Sequence, residues 1–214
     1  GLLSQAGIPH DVSVLARLLN LVNLVLKGTN VSNIDAIRDL TNLLSVDLSG
    51  TAVSDLTSLS RLTNLRSLDV SNTNVSDISS VSALNALKLL NLGDTAIRDL
   101  GPLVSLKNLE RLYLSGTPIS NVDALSGLSS LAVLDISSTG VIDTSPLQTL
   151  TNLSMIDVSD TQVVASAVSA SFCKIGELTE SDRVNLAEIL ASASFALESN
   201  PSVPEWVRQI ADGY

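Results

Sequence analysis

The chain has 214 residues, a formal net charge of −10 and 45% hydrophobic residues, of which very few are aromatic (2% of the chain). An acidic chain repels nucleic-acid phosphates and anionic lipid, so neither is an expected partner, and a basic protein surface or a cation fits better. No apolar run approaches the roughly 18 residues of a membrane-crossing helix, and a single cysteine, Cys173, cannot form a disulfide within the chain.

Residues 1–20 read as a degenerate first coil or cap. Val12, Leu15 and Leu18 stand 22 residues before Ile34, Ile37 and Leu40, Leu2 stands 22 before Leu24, and Asp11 stands 22 before Asn33. Ser4 occupies a position where the later units carry leucine. The segment fits an eroded initial coil, or the stump of a longer array.

Residues 21–164 hold seven units of 22 residues opened by Leu21, Leu43, Leu65, Leu87, Leu109, Leu131 and Leu153, with no insertion or deletion. A constant short period means that each unit is one coil, unable to bury its own apolar face, and that a core forms only by stacking. The alternating stretch Leu68-Asp69-Val70 predicts a short strand whose copies stack as parallel neighbours about 4.8 Å apart. Thr29, Thr51, Thr73, Thr95, Thr117, Thr139 and Thr161 follow at the turn. Their hydroxyls can satisfy backbone groups buried there, a duty that an exposed threonine such as Thr57 does not carry. Asn33, Asp55, Asp77, Asp99, Asn121 and Asp143 come next. Each precedes apolar residues at three-residue spacing, as in Ile78, Val81 and Leu84, which predicts a short 3₁₀ or helical turn with the Asx residue as its cap. The sixth unit has Thr144 in an apolar position followed by Pro146, which predicts a local irregularity.

Residues 165–214 lose the period. Thr179-Glu-Ser-Asp182 reads as a helix start, Pro201 as its end, and Pro204 as the start of a shorter helix through Trp206 and Ile210. The segment is expected to be a helical C-terminal cap over the open apolar end of the array.

The phrase L-x-x-L-x-L-x-x-T over residues 2 to 163 resembles the leucine-rich repeat, with threonine where that family usually has Asn or Cys. The second half, as in Val53-Ser-Asp-Leu56-Thr-Ser-Leu59-Ser-Arg-Leu62, resembles the 22-residue subclass of bacterial internalins and phosphatase-regulating repeat proteins. The resemblance implies an α/β repeat solenoid: a curved array with one parallel β-sheet on the concave face and short 3₁₀ or helical turns on the convex face. Members of the family bind unrelated partners, so the resemblance specifies the fold and leaves the partner open.

No constellation for catalysis stands out. His10 is the only histidine, Cys173 has no histidine near it in sequence, and there is no Cys/His metal cluster, phosphate-binding glycine loop or G-x-S-x-G. An enzyme, a cofactor and a metal are therefore not expected. The candidate surface is the concave face. Its central outward column runs Val25, Asp47, Asp69, Asn91, Tyr113, Asp135 and Asp157, so that Asp47–Asp69 and Asp135–Asp157 form like-charged neighbours. Two readings stand for these pairs: a site for a basic partner or cation, or hydrated carboxylates of no consequence. Arg66, Lys88, Glu110 and Arg111 put both signs of charge around Tyr113, with Leu44, Leu89, Val133 and Met155 expected exposed beside them. A tyrosine among arginine and apolar residues is typical of an interface anchor. The column Lys27, Ser49, Ser71, Gly93, Ser115, Ser137 and Ser159 is nearly uniform and is expected to read nothing. The function expected is a monomeric protein-binding scaffold, with an internalin-like surface adhesin and an architectural spacer as alternatives. The chain fits a cytoplasmic and a bacterial secreted setting equally.

Overall fold

The computed structural model describes residues 12–163. His10, Cys173 and the helical cap expected over residues 165–214, with Trp206, lie outside the described residues. Within them run seven three-residue strands: β1 (Asn23–Val25), β2 (Ser45–Asp47), β3 (Ser67–Asp69), β4 (Leu89–Asn91), β5 (Arg111–Tyr113), β6 (Val133–Asp135) and β7 (Met155–Asp157). They form one parallel sheet in sequence order. The sequence period sets the register, so Leu24, Val46, Leu68, Leu90, Leu112, Leu134 and Ile156 stand side by side and point into the core. The sheet lines the concave face and short 3₁₀ turns line the convex one.

The convex turns follow from the three-residue spacing of their apolar residues. In 3₁₀ geometry residues i and i+3 eclipse, so a side chain at every third position points the same way. In the coil after β3, the amides of Val81, Leu84 and Leu87 donate to the carbonyls of Ile78, Val81 and Leu84 at 2.9, 2.9 and 3.0 Å, and all four side chains are buried. The same residues thus carry the core and the hydrogen-bond chain. Among the described residues the degenerate first unit obeys this rule too, with Leu15 bonded to Val12 and Leu18 to Leu15, both at 2.9 Å.

The expected caps are present. Asp55, Asp77, Asp99 and Asp143 accept from the amides of Thr57, Ser79, Gly101 and Ser145 at 2.7–2.8 Å, and Asn33 and Asn121 accept from Asp35 and Asp123 at 2.7 and 2.6 Å. The hydroxyl and amide of Thr57 hold the Asp55 carboxyl below its ordinary range, and the amide and hydroxyl of Ser145 do the same for Asp143. Thr57 is therefore exposed but not idle, contrary to expectation.

The irregularity expected in the sixth unit is absent. The turn Ser145–Thr149 is as long as Thr57–Arg61, and its leading residue Thr144 has φ −106° and ψ 8°, against −102° and 8° for Leu56. Threonine has nearly the volume of valine and stays buried. Pro146 falls at the start of the turn, where no backbone donor is required.

Each strand ends at a tight turn. The residues with positive φ are themselves 22 apart: Gly28, Gly50, Asn72, Asp94, Gly116, Ser138 and Asp160, at +52° to +67°. Glycine, asparagine and aspartate tolerate this left-handed geometry; Ser138 is the exception. One residue later, each threonine of the expected column donates its hydroxyl to the carbonyl three residues back, at 2.5–2.7 Å in all seven copies.

Two predictions follow from these turns. Thr95→Val leaves the Leu92 carbonyl without its hydroxyl donor in a buried turn, and is expected to cost about 1–3 kcal/mol in denaturant unfolding. Exposed Thr63→Val is the bystander, expected within about 0.5 kcal/mol of zero; equal losses at both sites would refute the role of the threonine column. Ser138→Gly relieves a left-handed residue, and is expected to stabilise by about 0.4–1 kcal/mol in the same measurement.

Candidate interaction face

The central outward column has the expected membership. Val25, Asp47, Asp69, Asn91, Tyr113, Asp135 and Asp157 are successive partners in register across the sheet, so Asp47 stands beside Asp69 and Asp135 beside Asp157. Their environment is not the one expected. Asp47, Asp69 and Asp135 each turn Oδ1 onto the amide and the hydroxyl of the serine two residues on, Ser49, Ser71 and Ser137, at 2.6–3.0 Å. Asp157 takes the Ser159 amide at 2.8 Å. These carboxylates are neither bare pairs nor merely hydrated. They close the strand-to-turn junction in the way that an Asx side chain closes a turn. The sequence signal for this was the repeated Asp-x-Ser spacing, which also gives the uniform serine column a structural task.

Besides the end coil of β1, which has Val25 and Lys27, two coils break the pattern, those of β4 and β5. In the first, Asn91 and Gly93 replace Asp and Ser. Asn91 keeps the turn bond, accepting from the Gly93 amide at 3.1 Å, and donates to Asp69 Oδ2 at 3.1 Å. In the second, Tyr113 stands where a carboxylate would close the turn, and the Ser115 hydroxyl pairs instead with that of Ser137 at 2.9 Å. Tyr113 is the one aromatic residue among the described residues.

Charge gathers beside this break. Arg66, Lys88 and Glu110 occupy one column, with the Lys88 amide on the Arg66 carbonyl and the Glu110 amide on the Lys88 carbonyl, each at 2.8 Å. Lys88 Nζ bonds Glu110 at 2.7 Å and holds its carboxyl below the ordinary range. Arg66 and Arg111 are exposed and have no ion-pair partner among the described residues. Leu89, Arg111, Val133 and Met155 form the next column, in register, and its three apolar members are half-buried rather than exposed. Leu44, expected beside them, lies in the Arg66 column, as the Arg66 amide bonding to the Leu44 carbonyl shows.

Among the described residues no group of three or more His, Cys, Asp or Glu is placed to hold a metal ion, and no helix is long and apolar enough to cross a membrane.

A family model described as a leucine-rich repeat region matches residues 8–211. No curated protein matches the sequence. Among solved structures, an internalin of Listeria monocytogenes (inlF) superposes with a TM-score of 0.70 at 26% identity, over 77% of this chain and 55% of that one. The chain thus spans little more than half the length of that relative. Internalin C2 of the same organism superposes with a TM-score of 0.61 at 30% identity, over 72% of this chain and 78% of that one. A leucine-rich-repeat protein of Leptospira interrogans shares the fold, with a TM-score of 0.68 at 22% identity over 73% and 41% of the two chains.

If the acidic column is structural, the acceptor matters more than the charge. Asp69→Ala uncovers the Ser71 amide and is expected to cost about 0.5–2 kcal/mol in denaturant unfolding, whereas Asp69→Asn keeps an acceptor and is expected to cost less. Equal losses for the two variants would show that charge, not turn closure, is what Asp69 supplies.

Proposed function

Because the chain belongs to the leucine-rich-repeat family, we propose that it is a protein-interaction scaffold whose concave sheet holds a partner protein around Tyr113. The observation that carries this reading is the break in the repeat. Every coil from β2 to β7 has the same job of closing its turn, and four of the six do it with Asp and Ser. The coils of β4 and β5 give up that pair for Asn91, Gly93 and Tyr113. Stability alone favours repeating the working solution, so a departure on the solvent face marks a place where something other than stability chose the residues. Tyrosine supplies large, rigid contact area and is enriched among interface anchors.

Around that centre, Arg66, Lys88, Asn91, Glu110 and Arg111 supply polar contacts. The flanking pairs Asp47–Asp69 and Asp135–Asp157 keep their negative charge while closing turns, and steer the basic parts of a partner toward the face. A second reading, an internalin-like surface adhesin, draws on the similarity to the two Listeria internalins. It uses the same face and differs in where the protein sits, which antibody labelling of intact source cells distinguishes.

The test is kinetic, on a partner captured by the immobilised chain. Tyr113→Ala is expected to speed dissociation, with a loss of about 2 kcal/mol or more. Asp47→Asn with Asp69→Asn is expected to slow association and flatten its salt dependence. The convex caps Asp55→Asn and Asp77→Asn are expected to leave both rates unchanged. Rates indifferent to every concave substitution would leave the architectural spacer, or a binding surface elsewhere, as the better description.

A further inference from the structure

The sign of the partner at the centre of this face follows from which charges the fold has already used. From the sequence the face is acidic and invites a basic partner. In the structure, each column carboxylate has one oxygen committed to its own turn, and Asp69 has its second oxygen on Asn91 as well. Lys88 and Glu110 neutralise one another. Across β3 to β5 two exposed guanidinium groups, Arg66 and Arg111, stand in no ion pair among the described residues, and together with Lys88 they outnumber the carboxylates Asp69 and Glu110. They flank Leu89, which is the register partner of Arg111 and directly follows Lys88 in the Arg66 column. Tyr113 lies two residues beyond Arg111 on the same strand and therefore faces the same side.

On this footing, which rests on the proposed binding face, we infer that the segment seated over β3 to β5 is acidic and presents two carboxylates to Arg66 and Arg111. A guanidinium is planar and pairs with a carboxylate through two parallel hydrogen bonds, and the half-buried Leu89 between the two arginines lowers the screening that water gives such pairs at a fully exposed site. The spacing is set by the sheet. The arginines lie two coils apart and are offset by one residue, a separation of about 10 Å at a strand spacing of about 4.8 Å. A chain in polyproline II conformation advances about 3.1 Å per residue with three residues per turn, so acids three residues apart face the same side and span about the same length. The fitting ligand is thus an acid-x-x-acid segment in polyproline II conformation laid across the strands, with one end against Tyr113. The overall charge of −10 does not oppose this, because repulsion from distant carboxylates is screened beyond about 8 Å at physiological salt while the two pairs form in contact. The partner surface is then bipolar, acidic at the centre and basic toward Asp47 and Asp157.

The test needs no natural partner. Random dodecapeptides displayed on phage are selected on the immobilised full chain, and each binder is re-measured against Tyr113→Ala, against Arg66→Glu with Arg111→Glu, and against Asp47→Asn with Asp157→Asn. Circular dichroism melting confirms that each variant is folded. The expected result is a set of Tyr113-dependent binders enriched in Asp and Glu at three-residue spacing, losing about tenfold or more in affinity on reversal of the arginines. Tyr113-dependent binders that are basic, or that survive arginine reversal and lose affinity when Asp47 and Asp157 are neutralised, would overturn the acidic segment and leave the binding face intact. A library that yields no Tyr113-dependent binder overturns the face itself, and the acidic segment with it.

Discussion

Each coil of this protein has an interior it cannot close alone and a backbone it cannot satisfy alone. The amides along the sheet bond to the coils on either side, Ser67 to the Leu44 carbonyl of the preceding coil at 3.0 Å and Leu48 to the Asp69 carbonyl of the next at 2.8 Å, and the apolar side chains of a coil pack against those of its neighbours. That double dependence is why the 22-residue period admits no insertion. A single extra residue within a strand would shift its pairing by one, send its inward leucine to solvent and break the bonding to the adjoining coil. The narrow, branched-aliphatic core follows, since a coil that must match its neighbours on both sides has no room for irregular large rings.

The same constraint explains how much of the polar sequence is devoted to turns. A coil this short reverses direction sharply, and reversals leave backbone groups without partners. The structure meets the need with side chains at fixed positions: aspartate with serine after the strand, threonine at the turn, and Asx before the convex 3₁₀ segment. A fourth set binds coil to coil. Asn42, Asn64, Asn108 and Asn152 donate their amides to main-chain carbonyls of the preceding coil at 2.7–2.9 Å. Eight aspartates serve these duties, four after the strands and four before the convex turns, and their charge comes with the task of accepting.

Function has to be looked for in what the repeat does not need. Where a position repeats, architecture is a sufficient reason for it, and Asp47, Asp69, Asp135 and Asp157 fall in that class once their turn bonds are seen. Where the pattern lapses at Asn91, Gly93 and Tyr113, beside two arginines in no ion pair among the described residues, architecture is no longer a sufficient reason.

The sequence determined the coil, its period, its register and its inward residues, because stacking of identical units turns position in the repeat directly into position in space. Leu68 and Tyr113 could be placed inward and outward before any coordinates. The caps at Asp55 and Asp77 were legible for the same reason, as local contacts between residues two apart. Which charges are spent showed in the sequence only as the repeated Asp-x-Ser spacing, whose meaning the turn geometry decides. Whether Asp47 is free depends on its side chain turning back onto the Ser49 amide at the end of the strand, and whether Lys88 is free depends on the Glu110 side chain, one coil away, turning toward it. The sequence pattern predicted Leu44, Leu89, Val133 and Met155 to be exposed where they are half-buried, and predicted that Pro146 would disturb a turn that accepts it. Each of these depends on side-chain directions and backbone angles at a junction between coils, which the repeat leaves unspecified and only the packed neighbours decide.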